Sequence, residues 1–225
     1  MRILILAATA AVLLPVMPAY AADVSAEAKI VSDYRFRGIS RSDGDPSVQG
    51  SLTIGASSGF YAGAFGASLS DDPRYGNAEI DVYAGYATDI ASGTRIDAGV
   101  NYYAFPDSPA LAGPTDYVET YARLSHQLGP VRATAGAAWA PSQDAIGGED
   151  SLYLSAALDA GIPLTPWSLK GHVGRARGAL DYTDWSLGVD YALGPIRLGA
   201  AYVDTSAGTV PRADATVVFS LGVGF

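Results

Sequence analysis

From Ala215 to Phe225 the chain alternates strictly. Ala215, Val217, Phe219, Leu221, Val223 and Phe225 fall on one parity, and Thr216, Val218, Ser220, Gly222 and Gly224 on the other. Successive strand residues point to opposite faces, so this segment reads as a strand, mostly apolar on one side and mostly small or polar on the other. A chain end gains little from burial in a soluble domain, where termini fray. One face in lipid and one in a lumen would suit the pattern.

The opposite end points to export. Arg2 precedes an apolar run from Ile3 to Met17, and Ala19-Tyr20-Ala21 offers small residues for cleavage. This predicts a secretory signal over residues 1–21 and a single mature domain over 22–225. The run is shorter than the roughly 18 residues a spanning helix needs, and Pro15 and Pro18 interrupt it. Cysteine is absent, which excludes disulfides and thiolate metal sites. The sequence is 49% hydrophobic but only 16% charged, with a net charge of −9. That acidity argues against nucleic acid as a partner.

The alternation recurs along the whole chain. Near the start, Ala26, Ala28, Ile30, Tyr34 and Phe36 interleave with Glu27, Lys29, Asp33, Arg35 and Arg37. A helical period would scatter these charges around its surface. Strands are expected at roughly 24–37, 48–57, 60–69, 78–88, 94–105, 117–127, 131–140, 151–162, 167–174, 184–192, 196–204 and 215–225. Each approaches the ~9–11 residues with which a tilted strand crosses a bilayer. Tight turns such as Ser57-Ser58-Gly59 and Leu193-Gly194-Pro195 alternate with longer polar loops near 38–47, 70–77, 106–116, 141–150, 175–183 and 205–214. The expected fold is all-β: an antiparallel up-and-down transmembrane barrel of about twelve strands, with ten or fourteen as alternatives and both termini periplasmic. It belongs in the outer membrane of a Gram-negative bacterium, among lipid and lipopolysaccharide. Phe219, Leu221, Val223 and Phe225 form the terminal strand that outer-membrane assembly machinery reads.

Aromatic residues on the lipid parity gather toward strand ends. Tyr34, Phe36, Tyr102, Trp139, Trp185 and Tyr202 lie near the loops, and Tyr61, Tyr86, Trp167, Tyr191 and Phe225 near the turns. Two interfacial belts are expected, because amphipathic rings favour the headgroup level. Packing in a soluble sandwich core would not separate them this way.

Several stretches also resemble a known family. Ser32-Asp-Tyr-Arg-Phe-Arg-Gly-Ile-Ser-Arg-Ser-Asp-Gly-Asp-Pro46 and Val48-Gln-Gly50 resemble the opening of the TorF family, a proteobacterial group of porins. Gly59-Phe-Tyr-Ala-Gly63, Ile80 to Tyr86, Asp181 to Gly188 and Ala201 to Thr205 are similar to later stretches of it. The resemblance implies an outer-membrane channel with no defined substrate and no catalytic residues to carry over. Arg41 stands where that family usually has Gln, which implies a changed loop charge.

The inward parity carries the candidate pore lining. Its acids are Glu27, Asp33, Glu79, Asp81, Asp97, Glu119, Asp159, Asp184 and Asp190, and its bases Lys29, Arg35, Arg37, Arg95, Arg123, Arg132, Lys170 and Arg197. These nearly cancel. The loops add Asp43, Asp45, Asp71, Asp72, Asp107, Asp116, Asp144, Glu149 and Asp150, an acidic mouth that would favour cations. Keeping the surface soluble, or binding divalent ions, explains those acids equally well. Twelve strands imply a backbone radius of roughly 12 Å, which leaves space for ions or small solutes. Inward acids and bases could instead pair across the lumen and close it. His126, on the lipid face near a turn, could serve an interfacial lipid-modifying enzyme, but Ser125 and Gln127 beside it face inward and a lone His there reads as an anchor. His172 reads as pore lining. No cofactor is expected, and two histidines without cysteine make a transition-metal site improbable. The expected function is passive diffusion of ions or small solutes through a weakly cation-preferring porin, in single or oligomeric barrels. A closed structural or receptor barrel acting through its loops is the alternative.

Overall fold

The alternating segments close on themselves. In the computed structural model, which describes residues 22–225, the strands are β1 (Ala22–Val31), β2 (Arg35–Phe36), β3 (Ile39–Ser40), β4 (Ser47–Ala56), β5 (Phe60–Asp72), β6 (Gly76–Ala91) and β7 (Thr94–Ala104). They continue as β8 (Tyr117–Leu128), β9 (Val131–Ala140), β10 (Ser151–Gly161), β11 (Trp167–Arg177), β12 (Tyr182–Leu193), β13 (Ile196–Thr205) and β14 (Thr216–Gly224). β1 and β4 to β14 form a closed twelve-stranded barrel, and β2 and β3 a separate hairpin. Every neighbouring pair is antiparallel, and the seam sets Lys29 of β1 opposite Gly222 of β14. The secretory leader expected over residues 1–21 lies outside the described residues.

Closure leaves no strand edge with unpaired backbone groups, the condition for crossing hydrocarbon. Among the described residues no helix is long and apolar enough to cross a membrane. The outer wall exposes large side chains that water would not tolerate in such density, including Val82, Leu158, Leu187 and Phe219 at 55%, 55%, 69% and 60%. Lipid is the solvent that fits this surface, and a closed barrel with such a belt is an outer-membrane barrel. Tyr102, Trp139, Trp185 and Tyr202 stand on that face at the loop end. At the turn end Trp167 packs edge-on to Tyr191 with centroids 4.7 Å apart, and Phe60 tilts on Tyr86 at 5.0 Å.

Three aromatics expected on the lipid face stand inside the barrel instead. The first strand ends at Val31, not at residue 37, so Tyr34 and Phe36 are not on the lipid face. Both fold into the barrel, where Tyr34 lies 6.1 Å from the Phe65 ring and Phe36 5.7 Å from that of Tyr103. Tyr61 also faces inward, pairing across the ladder with inward Gly85; Phe60 is the outward residue there. β5 and β6 run longer than expected, and only residues 73–75 join them.

Candidate functional site: a plugged lumen

Beyond Ser32, whose N–H still bonds the Phe219 carbonyl at 2.9 Å, the chain turns away from the wall into the lumen. Asp33, 4% exposed, organises the bend. Its carboxylate accepts from Ser40 Oγ at 2.5 Å and Ser42 Oγ at 3.3 Å, and pairs with Arg35 Nε at 2.5 Å. Ser42 Oγ in turn accepts the Tyr34 N–H at 2.8 Å. The short hydroxyls thus replace the backbone partners that a continuing strand would supply. Between β2 and β3 sit Arg37 and Gly38 with φ of 52° and 83°, the signature of a two-residue type I′ turn. Arginine in that region costs about 1–2 kcal/mol. It is held there by what its side chain reaches.

Arg37 crosses to the opposite wall. Its Nη2 donates to both oxygens of Glu119 on β8, each at 2.7 Å, and its guanidinium stacks 4.1 Å over the Tyr153 ring of β10. Burial disfavours the charge on Arg37, yet the Glu119 carboxylate outweighs it and holds its pKa above the ordinary value. Arg41 turns toward β6, where it forms an ion pair without a hydrogen bond, Nη1 lying 3.3 Å from Glu79, with side-chain exposures of 8% and 0%. Its pKa is also raised, burial opposing and Glu79 prevailing. Gly38 meets the third side, where an added Cβ would lie 2.9 Å from Asp184 Cβ and 3.1 Å from Thr205 Cβ. Arg35 Nη1 donates to the carbonyls of Gly38, Arg212 and Asp214 at 3.1, 3.1 and 2.8 Å. Residues 32–46 therefore reach from one wall to the others as a plug.

Two small hydrophobic cores complete this end. Leu69, Tyr103, Phe105, Tyr117 and Ala145 are buried together against Tyr34 and Phe36. Tyr153, Ala176, Tyr182, Ala207 and Ala213 form the second, against Ile39. Some of the loop acids are taken up in structure, though all but Asp72 stay exposed. Arg212 bridges Asp43, at 3.0 Å, and Asp72. Asp72 also accepts the N–H groups of Arg74 and Tyr75, while Asp116 accepts the Phe105 N–H and the Tyr102 hydroxyl.

Below the plug lies a chamber of about 800 Å³, roofed by Arg35, Phe36, Arg37 and Gly38. Of the expected pore-lining residues, Arg35, Arg37, Asp81, Asp97, Glu119, Arg123 and Asp184 line it. Asp33 and Glu79 are instead buried at the plug's contacts. Toward the turns, Asp190 pairs with Lys170 at 2.5 Å and Arg197 at 3.5 Å, and Arg95 with Asp89 at 3.4 Å. Arg95, Arg132, Asp159 and Arg197 are exposed there, so the lumen is open at the turn end. Sequence reasoning missed Arg41 as an anchor and Ser40 and Ser42 as the bend. One signal was available: a first strand of residues 24–37 exceeds the ~9–11 residues a crossing requires.

His126 lies on the outer face with Nδ1 2.7 Å from Thr94 Oγ1. His172 faces the lumen, 2.9 Å from the Tyr153 hydroxyl and 3.1 Å from Asp184. Among the described residues no group of three His, Cys, Asp or Glu is placed to hold a metal ion.

A family model described as a bacterial protein of unknown function, Gcw_chp, matches residues 16–221. No curated protein matches the chain. Among solved structures, the KdgM porin in complex with disordered oligogalacturonate superposes with a TM-score of 0.61 at 8% identity, over 90% of this chain and 97% of that one. The KdgM porin by itself gives 0.60 at 9% identity, over 89% and 98%. An outer membrane channel of Pseudomonas putida F1, described as COG4313, gives 0.49 at 14% identity, over 92% and 96%. At such identities the likeness to the two KdgM porin structures is one of fold.

Proposed function

The chain belongs to the Gcw_chp family of bacterial proteins, and from the barrel itself we propose that it is an outer-membrane porin-like channel for ions or small solutes, of the kind its TorF resemblance implies. The chamber carries this reading: a water-accessible space of about 800 Å³, lined by charged and hydroxyl groups and open at the turn end, has no role in holding a barrel together. In this reading residues 1–21 direct export and are removed, both termini lie in the periplasm, and the loops face outward. The strand ending at Phe225 is the segment that assembly machinery reads. Conduction requires residues 32–46 to shift, since they roof the chamber. Lumenal charges nearly cancel, so any cation preference is weak and comes from exposed loop acids such as Asp107, Glu149 and Asp150.

A second reading, a permanently closed barrel acting through its loops, is favoured by the two hydrophobic cores at the loop end. Planar-bilayer recordings of refolded protein, with the reversal potential read across a salt gradient, separate the two. Discrete steps with a small cation-selective potential support the channel. Silence from wild type and from an Arg37→Ala, Arg41→Ala double variant, both folded, would leave only the closed barrel.

A further inference from the structure

The chamber has two unlike walls. On one, three inward tyrosines stand directly across the ladder from glycines: Tyr61 opposite Gly85, Tyr83 opposite Gly63, and Tyr121 opposite Gly99. A methyl group at those glycines would come within 2.5 Å of the Tyr61 hydroxyl, 2.5 Å of Tyr83 Cζ and 2.7 Å of the Tyr121 hydroxyl. Each ring therefore lies close against bare backbone beside the chamber it lines, with the Tyr61 and Tyr83 rings 6.5 Å apart and inclined at 61° to each other. Three such pairs on four consecutive strands make an apolar platform with a polar rim. At that rim the hydroxyls of Tyr61 and Tyr121 meet each other, and Tyr61 donates to Asp97. The Tyr83 hydroxyl is 2.6 Å from Thr53 Oγ1. On the facing side, Tyr153, His172 and Asp184 form a hydrogen-bonded group beside Ser155 and Ser186.

Charge narrows what would fit between these walls. Each guanidinium lining the chamber already faces a carboxylate: Arg35 faces Asp33, Arg37 faces Glu119, and Arg123 lies 3.7 Å from Asp97. An anionic solute would meet no cation among them without a carboxylate beside it, Arg123 being the most exposed of the three. Acceptors, by contrast, are in surplus. Asp81 is 6% exposed, and its Oδ1 and the Asn101 Oδ1 have no hydrogen-bond partner among the described residues. Both atoms are sealed from the chamber, so the acceptors that a solute's hydroxyl donors can meet are the part-exposed Asp97 carboxylate and the Ser155 and Ser186 hydroxyls.

We infer that the chamber binds an uncharged polyhydroxylated solute, a sugar of one or two rings, stacked on Tyr61, Tyr83 and Tyr121. Sugar rings present C–H faces that suit an aromatic platform and edge hydroxyls that suit the rim. A chamber of about 800 Å³ is within the usual range for small-molecule sites. The inference deepens the channel reading and rests on it for solute access, but its test does not require conduction.

Saturation-transfer NMR of the refolded barrel in detergent, with sucrose and with galacturonate as probes, is that test. Sucrose should receive saturation at its C–H protons, and galacturonate should bind more weakly. Tyr121→Leu should weaken sucrose about three- to tenfold, the loss of one stacked ring, while Tyr121→Phe keeps the ring and most of the binding. Gly85→Ala, which displaces the Tyr61 ring without removing it, should weaken sucrose too. Retained resistance of each variant to unfolding in dodecyl sulfate shows that the barrel is intact. No sucrose signal from folded wild type, a preference for galacturonate, or indifference to both Tyr121→Leu and Gly85→Ala would overturn the inference. Sucrose binding by a protein silent in bilayers would retire the channel and leave the sugar site standing.

Discussion

At the loop end of this barrel Phe36 packs on Tyr103 and Arg41 is buried against Glu79; near the turns of the same barrel Arg95 and Arg197 reach into open lumen, with side chains 52% and 58% exposed. Both halves are built on one period-two pattern, and they differ only in what fills the space inside. The loop half resembles the core of a small soluble domain, with apolar clusters around ion pairs shielded from water. The turn half is a wet tube. Alternation decides which face of a strand looks inward. Whether the interior is packed or hydrated depends on a segment that leaves the ladder altogether.

The contrast can be broken most forcefully at Arg41. Arg41→Ala leaves Glu79 buried without its cation, which should destabilise the loop half by about 3–5 kcal/mol. Hydrogen exchange should speed at the loop ends of β5 and β6 and stay slow near the turns. Pairing it with Glu79→Gln removes the uncompensated charge and should restore much of the protection.

Arg37 comes next, because Glu119 borders the chamber and water can partly replace the lost partner. Arg37→Ala should cost about 1–3 kcal/mol, seen as a lower urea midpoint, and raise ion flux through the roof in bilayers. Arg37→Lys should recover little, since a point charge reproduces neither the two contacts to Glu119 nor the stacking on Tyr153.

The smallest effect belongs to the turn half. Arg95→Ala removes a pair with exposures of 52% and 74%, and stability should change by less than about 1 kcal/mol. A comparable loss there and at Arg41 would mean that the two interiors do not differ as described.

Much of this architecture is legible in the sequence. Alternation, tight turns at Gly-Pro and Ser-Gly, and the apolar strand ending at Phe225 lead to twelve strands, and the barrel has twelve. The inward parity also leads to Asp81, Asp97, Glu119, Arg123 and Asp184, which line the chamber. The plug is not legible by the same means. Asp33, Arg35 and Arg37 alternate with Tyr34 and Phe36 as a barrel strand would, so parity alone carries the strand six residues too far. What diverts the chain is tertiary: Ser40 and Ser42 closing on Asp33, and two arginines meeting acids 38 and 82 residues away in sequence. Parity places Tyr61 on the wrong face for a simpler reason. Phe60 and Tyr61 are adjacent aromatics of opposite parity, and only the pairing with β6 decides which faces lipid.

The most direct measurement is single-channel conductance of refolded wild type beside a variant in which residues 33–44 are replaced by a Gly/Ser linker of equal length. Small or infrequent steps from wild type and large, sustained ones from the variant are the expected result, because the linker removes the roof while β1 and β4 remain paired. Equal conductance from the two folded proteins would contradict the plug, and with it the division of the barrel into a packed half and a wet one.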